Sequence, residues 1–223
     1  MSGRTGEAPA ERGRAAKAFD PLEIGDPLAA RTGWWPMRGS GTSSFRSHRL
    51  VHADADQVRF SPTVKLRLLL GVVPAIGAVV ISGAGAGVIM ASNFGPFIVQ
   101  AIGGLAIVGV GLLLYYAFFT PIVFDRREGM CWKGHGPPQA IVDSARVDHY
   151  ALLEDVHAVQ SLRFHVSTGD GGSGYHACEL NLVLHDGRRI HLLCQGHDAS
   201  MGRDAQALAE FLRVPLWDSP RRS

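Results

Sequence analysis

The sequence has little of what most functional signatures are made from. It contains three cysteines in 223 residues, an odd number, widely spaced, that does not indicate a disulfide framework. The formal net charge is only +2, and no basic cluster is interleaved with aromatic residues, so no nucleic-acid partner is expected. A Gly-rich phosphate loop, a G-x-S-x-G elbow, an H-E-x-x-H motif and paired C-x-x-C motifs are absent from the sequence. We therefore expect a non-enzymatic protein, with no catalytic residue, no cofactor and no resident metal.

Charge is missing altogether from the middle of the chain. Residues 68–119 contain no Asp, Glu, Lys, Arg or His. Two apolar segments, 68–91 and 96–119, are each long enough to cross the ~30 Å hydrocarbon core of a bilayer as a helix. The sequence thus predicts two transmembrane helices within residues 66–119, joined by a tight connection. Ion pathways and substrate sites usually leave ionisable residues inside the membrane, so we interpret the pair as an anchor.

The charges beside the apolar segments predict their orientation. Lys65 and Arg67 precede the first segment, and Arg126, Arg127 and Lys133 follow the second, whereas the connection between them has no Lys or Arg. Positively charged residues near the ends of spans are retained on the cytoplasmic side. The prediction is a multi-pass protein of the inner membrane with both termini cytoplasmic.

Small residues recur in both apolar segments. Gly83 and Gly87 form a small-xxx-small pair, which lets helix backbones approach closely. The pattern fits packing of the two spans on each other within one chain, which is the favoured interpretation. It also fits a homo-oligomer formed through Gly83 and Gly87.

The region before the first span is mainly polar. Residues 1–43 are rich in Gly, Ala, Arg and Ser, with little hydrophobic periodicity, so a disordered tail is expected. Trp34 and Trp35 are the exception. These two side chains either insert into the membrane interface or dock on the folded domain, and the sequence does not decide between the two. Residues 44–65 predict a β-hairpin, and whether it joins the C-terminal sheet is left open.

Residues 120–217 predict a small antiparallel β domain with one helix. Short strands at 121–125 and 130–133 flank a turn, and a longer strand covers 159–166 after a bend at 154–155. Residues 199–212 form an amphipathic helix, which Asp198 is expected to cap and Trp217 to cover at its end.

The stretch from Cys178 to Cys194 predicts two strands around a turn at 185–187. With Gly187 in the left-handed conformation, Leu182 pairs with Ile190, so that apolar residues oppose apolar residues. This register also pairs Leu180 with Leu192, places Cys178 opposite Cys194 on the buried face, and directs Glu179, Asn181 and His191 to the other side. In a reducing cytoplasm, the two cysteines are expected to be ordinary core residues.

A second interpretation of the same stretch stays open. His176 and His197 lie near the strand ends, where they would complete a four-ligand set with Cys178 and Cys194. This alternative is a metal- or redox-responsive membrane protein. The spacing matches no established metal motif, so it ranks second.

Two short motifs carry a family resemblance. The residues FDRREG at 124–129 and ALAEFLRVP at 207–215, together with the two spans before them, are similar to the photosystem I assembly protein family. More broadly, the arrangement resembles bacterial membrane proteins with a cytoplasmic pleckstrin-homology-like (PH-like) domain. The resemblance covers roughly residues 66–217. It implies a membrane α+β protein in which a two-helix transmembrane hairpin is followed by a small antiparallel PH-like β domain with a C-terminal helix.

These observations favour a scaffold, binding or assembly role. A bilayer anchor without ionisable residues and a domain without a catalytic signature predict a module that presents its cytoplasmic domain to a protein partner or a lipid headgroup.

Overall fold

The computed structural model of the chain describes residues 19–37, 44–90, 95–134, 150–168, 172–196 and 199–219. These residues form two long apolar helices, two β-sheets and a C-terminal helix. The buried faces of the two sheets share one hydrophobic core. The predicted order of apolar helices, antiparallel strands and terminal helix is confirmed at this level.

The first sheet has five antiparallel strands in chain order. The hairpin predicted before the apolar segments is present, with Leu50 opposite Phe60. Its second strand continues the sheet, because Phe60 also pairs with Ile122 after the helices. The hairpin therefore belongs to the C-terminal sheet, which answers the question that the sequence left open. The strands are β1 (His48–His52), β2 (Gln57–Pro62), β3 (Ile122–Asp125), β4 (Met130–Lys133) and β5 (Tyr150–Leu152).

Both long helices are inserted between two neighbouring strands of this sheet. A short helix in the N-terminal region is α1 (Pro27–Arg31), and the long pair are α2 (Val64–Met90) and α3 (Gly95–Phe118). The second helix starts earlier than the uncharged run, because the Thr63 hydroxyl accepts a hydrogen bond from the Leu66 backbone N–H at 3.4 Å and caps the helix. Only Thr63 separates β2 from α2, and only residues 119–121 separate α3 from β3.

Glycines hold α2 and α3 together. A Cβ atom built on Gly104 would lie 2.6 Å from Cγ1 of Ile81, and one built on Gly77 would lie 2.7 Å from Cγ2 of Val108. These distances are shorter than van der Waals contact, so both positions require glycine at the present helix separation. Gly83 lies beside the Gln100 amide, in the contact between the two helices of one chain. This agrees with the intrachain interpretation, while an additional role of Gly83 and Gly87 in a homo-oligomer stays a prediction.

The second sheet has four strands in the order β8-β7-β6-β9. A single turn of 3₁₀ helix over Leu153–Asp155 forms the predicted bend, and the strand that follows is longer than predicted. The last strand lies parallel to β6, with Trp217 beside Gln160. The strands are β6 (Val156–Thr168), β7 (Gly172–Leu184), β8 (Arg189–Gly196) and β9 (Leu216–Asp218).

The register between β7 and β8 agrees with the prediction only near the turn. Gly187 has a φ of 85°, and Leu182 pairs with Ile190. A β-bulge then shifts the pairing by one residue, so that Leu180 pairs with Leu193, and Cys178 with Gln195. The predicted pairs Leu180–Leu192 and Cys178–Cys194 are therefore wrong. The bulge lets both Leu192 and Leu193 enter the core, which an unbroken ladder would not allow.

The C-terminal helix packs against the core between the two sheets. It is α4 (Ala199–Leu212), with the predicted bounds, whereas its expected cap Asp198 lies outside the described residues. Trp217 does not cover the helix end as predicted, because β9 places its side chain on the outer face of the second sheet. The side chains that α4 buries are Met201, Ala205, Leu208, Ala209 and Phe211.

The outer face of the second sheet is covered by residues 19–37, which we call the N-terminal strap. Asp20 caps a 3₁₀ turn over Pro21–Ile24, and Asp26 caps α1. Trp34 is only 6% exposed and docks on the sheet, whereas Trp35 is 72% exposed. The expectation of a disordered tail is therefore wrong for residues 19–37, because local caps and one docked tryptophan replace the missing periodicity.

Candidate functional site

A large cleft lies at the end of the first sheet that points away from the long helices. Helices α2 and α3 join β2 and β3 at Pro62 and Ile122, and the cleft is beside the opposite ends of these strands. Its volume is about 550 Å³. We call it the distal cleft; the residues used below are Arg126, Glu128, Leu152, Glu154, Phe211 and Arg213.

Arg126 joins the cleft wall to the end of α4. Its guanidinium donates to the Phe211 carbonyl oxygen, with an Nε–O distance of 3.1 Å, and lies 4.1 Å from the centre of the Phe211 ring. A cation at a helix C-terminus is favourable because the last carbonyls carry partial negative charge. Arg126 therefore fixes the turn after β3 against the helix end.

Arg213 enters the cleft from a backbone conformation that is unusual for arginine. Its φ is 58°, in the left-handed region. The Val214 N–H bonds to the Ala209 carbonyl and the Arg213 N–H to the Glu210 carbonyl, which is the Schellman arrangement that glycine usually completes. The side chain of Arg213 is exposed at the cleft. The chain thus carries a charged side chain where glycine would be the least strained residue.

Charges of both signs surround an apolar patch in the distal cleft. Glu128 and Glu154 are exposed, and in the part of the chain that the structure describes neither carboxylate is seen in an ion pair. Leu152 lines the same cleft and is 39% exposed. Such a surface suits the binding of another polypeptide, which has charged and apolar groups on a similar scale.

A smaller cavity lies at the opposite end of the domain, beside the end of α3. Its volume is about 280 Å³, and Ser47, His48, Thr120, Lys133 and Cys194 contribute polar or sulfur atoms to its wall. Burial, helped by the charge of Lys133, lowers the pKa of His48 to about 4. His48 is therefore neutral at pH 7, with its Nδ1 atom 3.0 Å from the Ser47 hydroxyl.

The structure does not support the thiol pair that the sequence suggested. Cys178 faces the inner core, with its sulfur 3.6 Å from the Ser161 hydroxyl, and burial raises its pKa to about 11. Burial, and then the charges of Glu179 and Cys178, raise the pKa of Cys194 to about 12. Both thiols are protonated at pH 7, whereas metal ligation and thiol exchange use the thiolate.

The structure also does not bring His176 and His197 together with the two cysteines as a set of metal ligands. His176 pairs with His165 across the strands, with 5.3 Å between the ring centres. His197 lies outside the described residues. Within the six described ranges, no group of three or more His, Cys, Asp or Glu side chains is arranged to hold a metal ion.

Sequence reasoning missed the polar cluster beneath the strap. Gln160, Glu179 and Asn181 are fully buried, whereas the sequence indicated only that Glu179 and Asn181 point away from the core between the sheets. The Asn181 amide donates to Oε1 of Glu179 at 2.9 Å, and the Met37 backbone N–H donates to the same oxygen at 2.9 Å. The pair Trp34-Trp35 was the signal that a segment covers this face.

No family model, curated protein or solved structure matches the chain.

Proposed function

We propose that the chain is a non-enzymatic, membrane-anchored binding or assembly module of a bacterial inner membrane. In this proposal α2 and α3 cross the bilayer, and a PH-like sandwich at the cytoplasmic face presents the distal cleft to a protein partner. The single observation that carries the proposal is the insertion of the long apolar hairpin between two paired strands of the sandwich.

The surface of the hairpin supports insertion into a bilayer. Only 11% of the residues in each 18-residue apolar window are buried. Large side chains such as Leu69, Val79 and Leu113 are more than half exposed along the helices. Contiguous apolar surface of this extent is unfavourable in water and favourable in the hydrocarbon layer.

The attachment of the hairpin fixes the direction of the domain. One residue connects β2 to α2 and three connect α3 to β3, so no flexible linker separates the sheet from the helices. With the helices in a bilayer, the 280 Å³ cavity faces the membrane and the distal cleft faces away from it. A partner of the distal cleft therefore approaches from the cytoplasm, which favours a protein over a membrane lipid.

The arrangement of strands supports the PH-like assignment. Two sheets, antiparallel except for the parallel strand β9, share one core, and α4 packs against that core between them. The cleft has an apolar patch with Glu128, Glu154 and Arg213 around it, which provides recognition without an activated nucleophile or an acid–base pair.

Site-specific photo-crosslinking in the native host tests this function. A photoreactive amino acid at Leu152 should capture a protein partner, whereas the same amino acid at Arg203, which is exposed on α4 outside the cleft, should not. Glu128→Ala combined with Glu154→Ala should reduce the capture at Leu152. Equal capture from both positions, or capture at neither, would reject the distal cleft as the docking site.

The redox and metal alternative has its own test. Elemental analysis of the purified protein and the phenotype of a Cys178→Ser, Cys194→Ser variant address it directly. Because Cys178 lies opposite Gln195 and the described residues include no group arranged to hold a metal ion, we expect no bound metal and an unchanged phenotype.

A further inference from the structure

The outer face of the second sheet is built as a recognition groove. We propose that the N-terminal strap is an exchangeable ligand of this groove, and that in trans the groove binds an extended segment of a partner protein that carries a tryptophan. The inference goes beyond the proposed function, because it concerns a different surface and does not depend on insertion of the helices.

One aromatic side chain anchors the strap. The Trp34 ring stacks on Trp217 with 6.0 Å between ring centres, and Phe19 meets Trp34 edge-on at 4.7 Å. The sheet contributes the apolar floor around this anchor, with Leu162 and Val183 both buried. A single large aromatic residue in a pocket is the usual energetic centre of a peptide interface.

Three further contacts recognise the main chain of the strap. The Gln160 side-chain amide donates to the Gly33 carbonyl at 3.0 Å, and Arg189 donates to the Trp35 carbonyl at 2.9 Å. The Met37 N–H donates to Glu179. Because these contacts use backbone groups, another extended segment can make them whatever its side chains are, provided that it supplies the aromatic anchor.

The floor of the groove is more polar than that of a permanent core. Gln160, Glu179 and Asn181 are fully buried under the strap. Permanent interfaces resemble apolar cores, whereas exchangeable ones keep a polar character that water can solvate after release. The polar composition of this face is therefore consistent with an N-terminal strap that can dissociate from it.

The strap leaves two groups of the groove unsatisfied. Oδ1 of Asn181 and Nε1 of Trp217 are buried and have no hydrogen-bond partner among the described residues. Buried polar groups are usually paired, and unpaired ones weaken the complex that contains them. A partner segment with a donor for Asn181 and an acceptor for Trp217 would fit the groove better than the strap does.

A partly exposed latch holds the outer edge of the strap. Asp26 accepts a hydrogen bond from Nε2 of His157 at 2.7 Å, and Nδ1 of His157 lies 3.1 Å from Nδ1 of His185. Burial acts against the charged form of Asp26, but the hydrogen bonds from His157 and the Leu28 N–H hold its pKa below the ordinary value. The latch is polar and solvent-accessible, so its opening does not disturb the core between the sheets.

Hydrogen exchange on the full chain in lipid nanodiscs tests whether the strap opens. The amides of α1 and of residues 33–37 should exchange at least tenfold faster than those of β6 and β7. Exchange of strap and sheet amides at one common rate would show that the strap is a permanent part of the fold and would overturn the proposal.

Binding of a labelled peptide with the sequence of residues 19–37 tests occupancy in trans. The Trp34→Ala full chain, with a loosened strap, should bind the peptide at least tenfold more tightly than the wild type, whose groove is filled in cis. Leu22→Ala, at an exposed strap position, is the matched control and should behave like the wild type. A peptide in which alanine replaces the tryptophan that corresponds to Trp34 should not bind.

Two results would contradict occupancy in trans. One is failure of the peptide to bind a Trp34→Ala chain whose circular dichroism matches the wild type. The other is equal binding to a Trp34→Ala, Trp217→Ala chain, which lacks the stacking partner. If Trp34→Ala does not fold, Asp26→Asn replaces it, because asparagine can still cap α1 but weakens the latch with His157.

Discussion

His48 is a partly buried imidazole that is neutral at pH 7 in the folded protein, which gives the free energy of unfolding a defined dependence on pH. Its pKa falls from 6.5 to about 4 on folding, so the unfolded chain binds more protons between these values. Stability therefore decreases as the pH falls from about 6.5 to 4 and is unaffected by His48 above that window. At about 1.4 kcal/mol per pKa unit, the loss attributable to His48 is roughly 2–3 kcal/mol.

Denaturant unfolding of the wild type and His48→Gln at several pH values between 7 and 4 measures this effect. The variant should lose most of the slope in that window. His52→Gln, at the exposed other end of β1, is the control and should keep it. An undiminished slope in His48→Gln would assign the acid sensitivity to other groups.

Arg213 places a positive charge in the distal cleft, but its left-handed backbone conformation destabilises the end of α4. Glycine at a left-handed position avoids a Cβ penalty, so Arg213→Gly should stabilise the protein by about 1 kcal/mol. Its unfolding midpoint should rise, while photo-capture at Leu152 should fall because the cleft loses a guanidinium. Arg203→Gly, inside α4, should instead destabilise the protein by about 1 kcal/mol. Unchanged capture with Arg213→Gly would remove Arg213 from the docking surface.

For single residues, the sequence predicted which side of a strand a side chain points to, but not whether that side is buried. Strand alternation correctly separated Glu179 and Asn181 from Cys178, but alternation cannot show what covers a face. The register of β7 and β8 beyond the β-bulge was also not predictable from the sequence. Leu192 and Leu193 are both apolar, so a shift of one residue leaves the apolar pattern intact.

The two long helices illustrate packing at the scale of an element. Gly104 has no space for a side chain, because a Cβ would lie 2.6 Å from Ile81, whereas a Cβ on the neighbouring Gly103 would meet nothing within 4 Å. Gly104→Val should therefore separate the helices and destabilise the hairpin by about 1–3 kcal/mol. Gly103→Val is the control and should have little effect. Unfolding in mixed detergent micelles measures both, and similar losses for the two variants would contradict this packing.

Elements with strong periodicity were predictable, and the strap was not. Helix α4 has the predicted bounds because its apolar face repeats along fourteen residues. The strap contains only a five-residue helix and one 3₁₀ turn, and each is set by a capping aspartate. Such short elements form on docking and leave no periodic signal, so neither the groove nor its polar floor was predictable from the sequence.

The connection of the helical hairpin to the sheet determines how the helices are oriented relative to the rest of the molecule. Strands β2 and β3 pair directly, with Phe60 opposite Ile122, so both helices must enter from one side of the sandwich. Both ends of the hairpin therefore lie on the same side of any bilayer that it crosses. The sequence predicted this common side from charge, and the strand pairing is consistent with that prediction. Charge alone supports the assignment of that side to the cytoplasm.

The sandwich should fold without the two long helices. No residue of the main core cluster, as far as the described ranges show it, comes from α2 or α3. Replacing residues 63–119 by Asn-Gly would join β2 to β3 through a two-residue turn that suits antiparallel strands and keeps Phe60 opposite Ile122. The resulting protein should be water-soluble, unfold cooperatively and compete with the full chain for photo-capture at Leu152.

Size-exclusion chromatography, denaturant unfolding and competition in membrane extracts measure these three properties. A compact, soluble domain that competes would show that the sandwich alone recognises the partner. The helical hairpin would then serve only to orient the sandwich. An aggregated or molten product would instead mean that the helices hold the two sheets together. The distal cleft would then depend on the bilayer for its shape, because the exposed ends of β2 and β3 would be the first part of the sheet to separate.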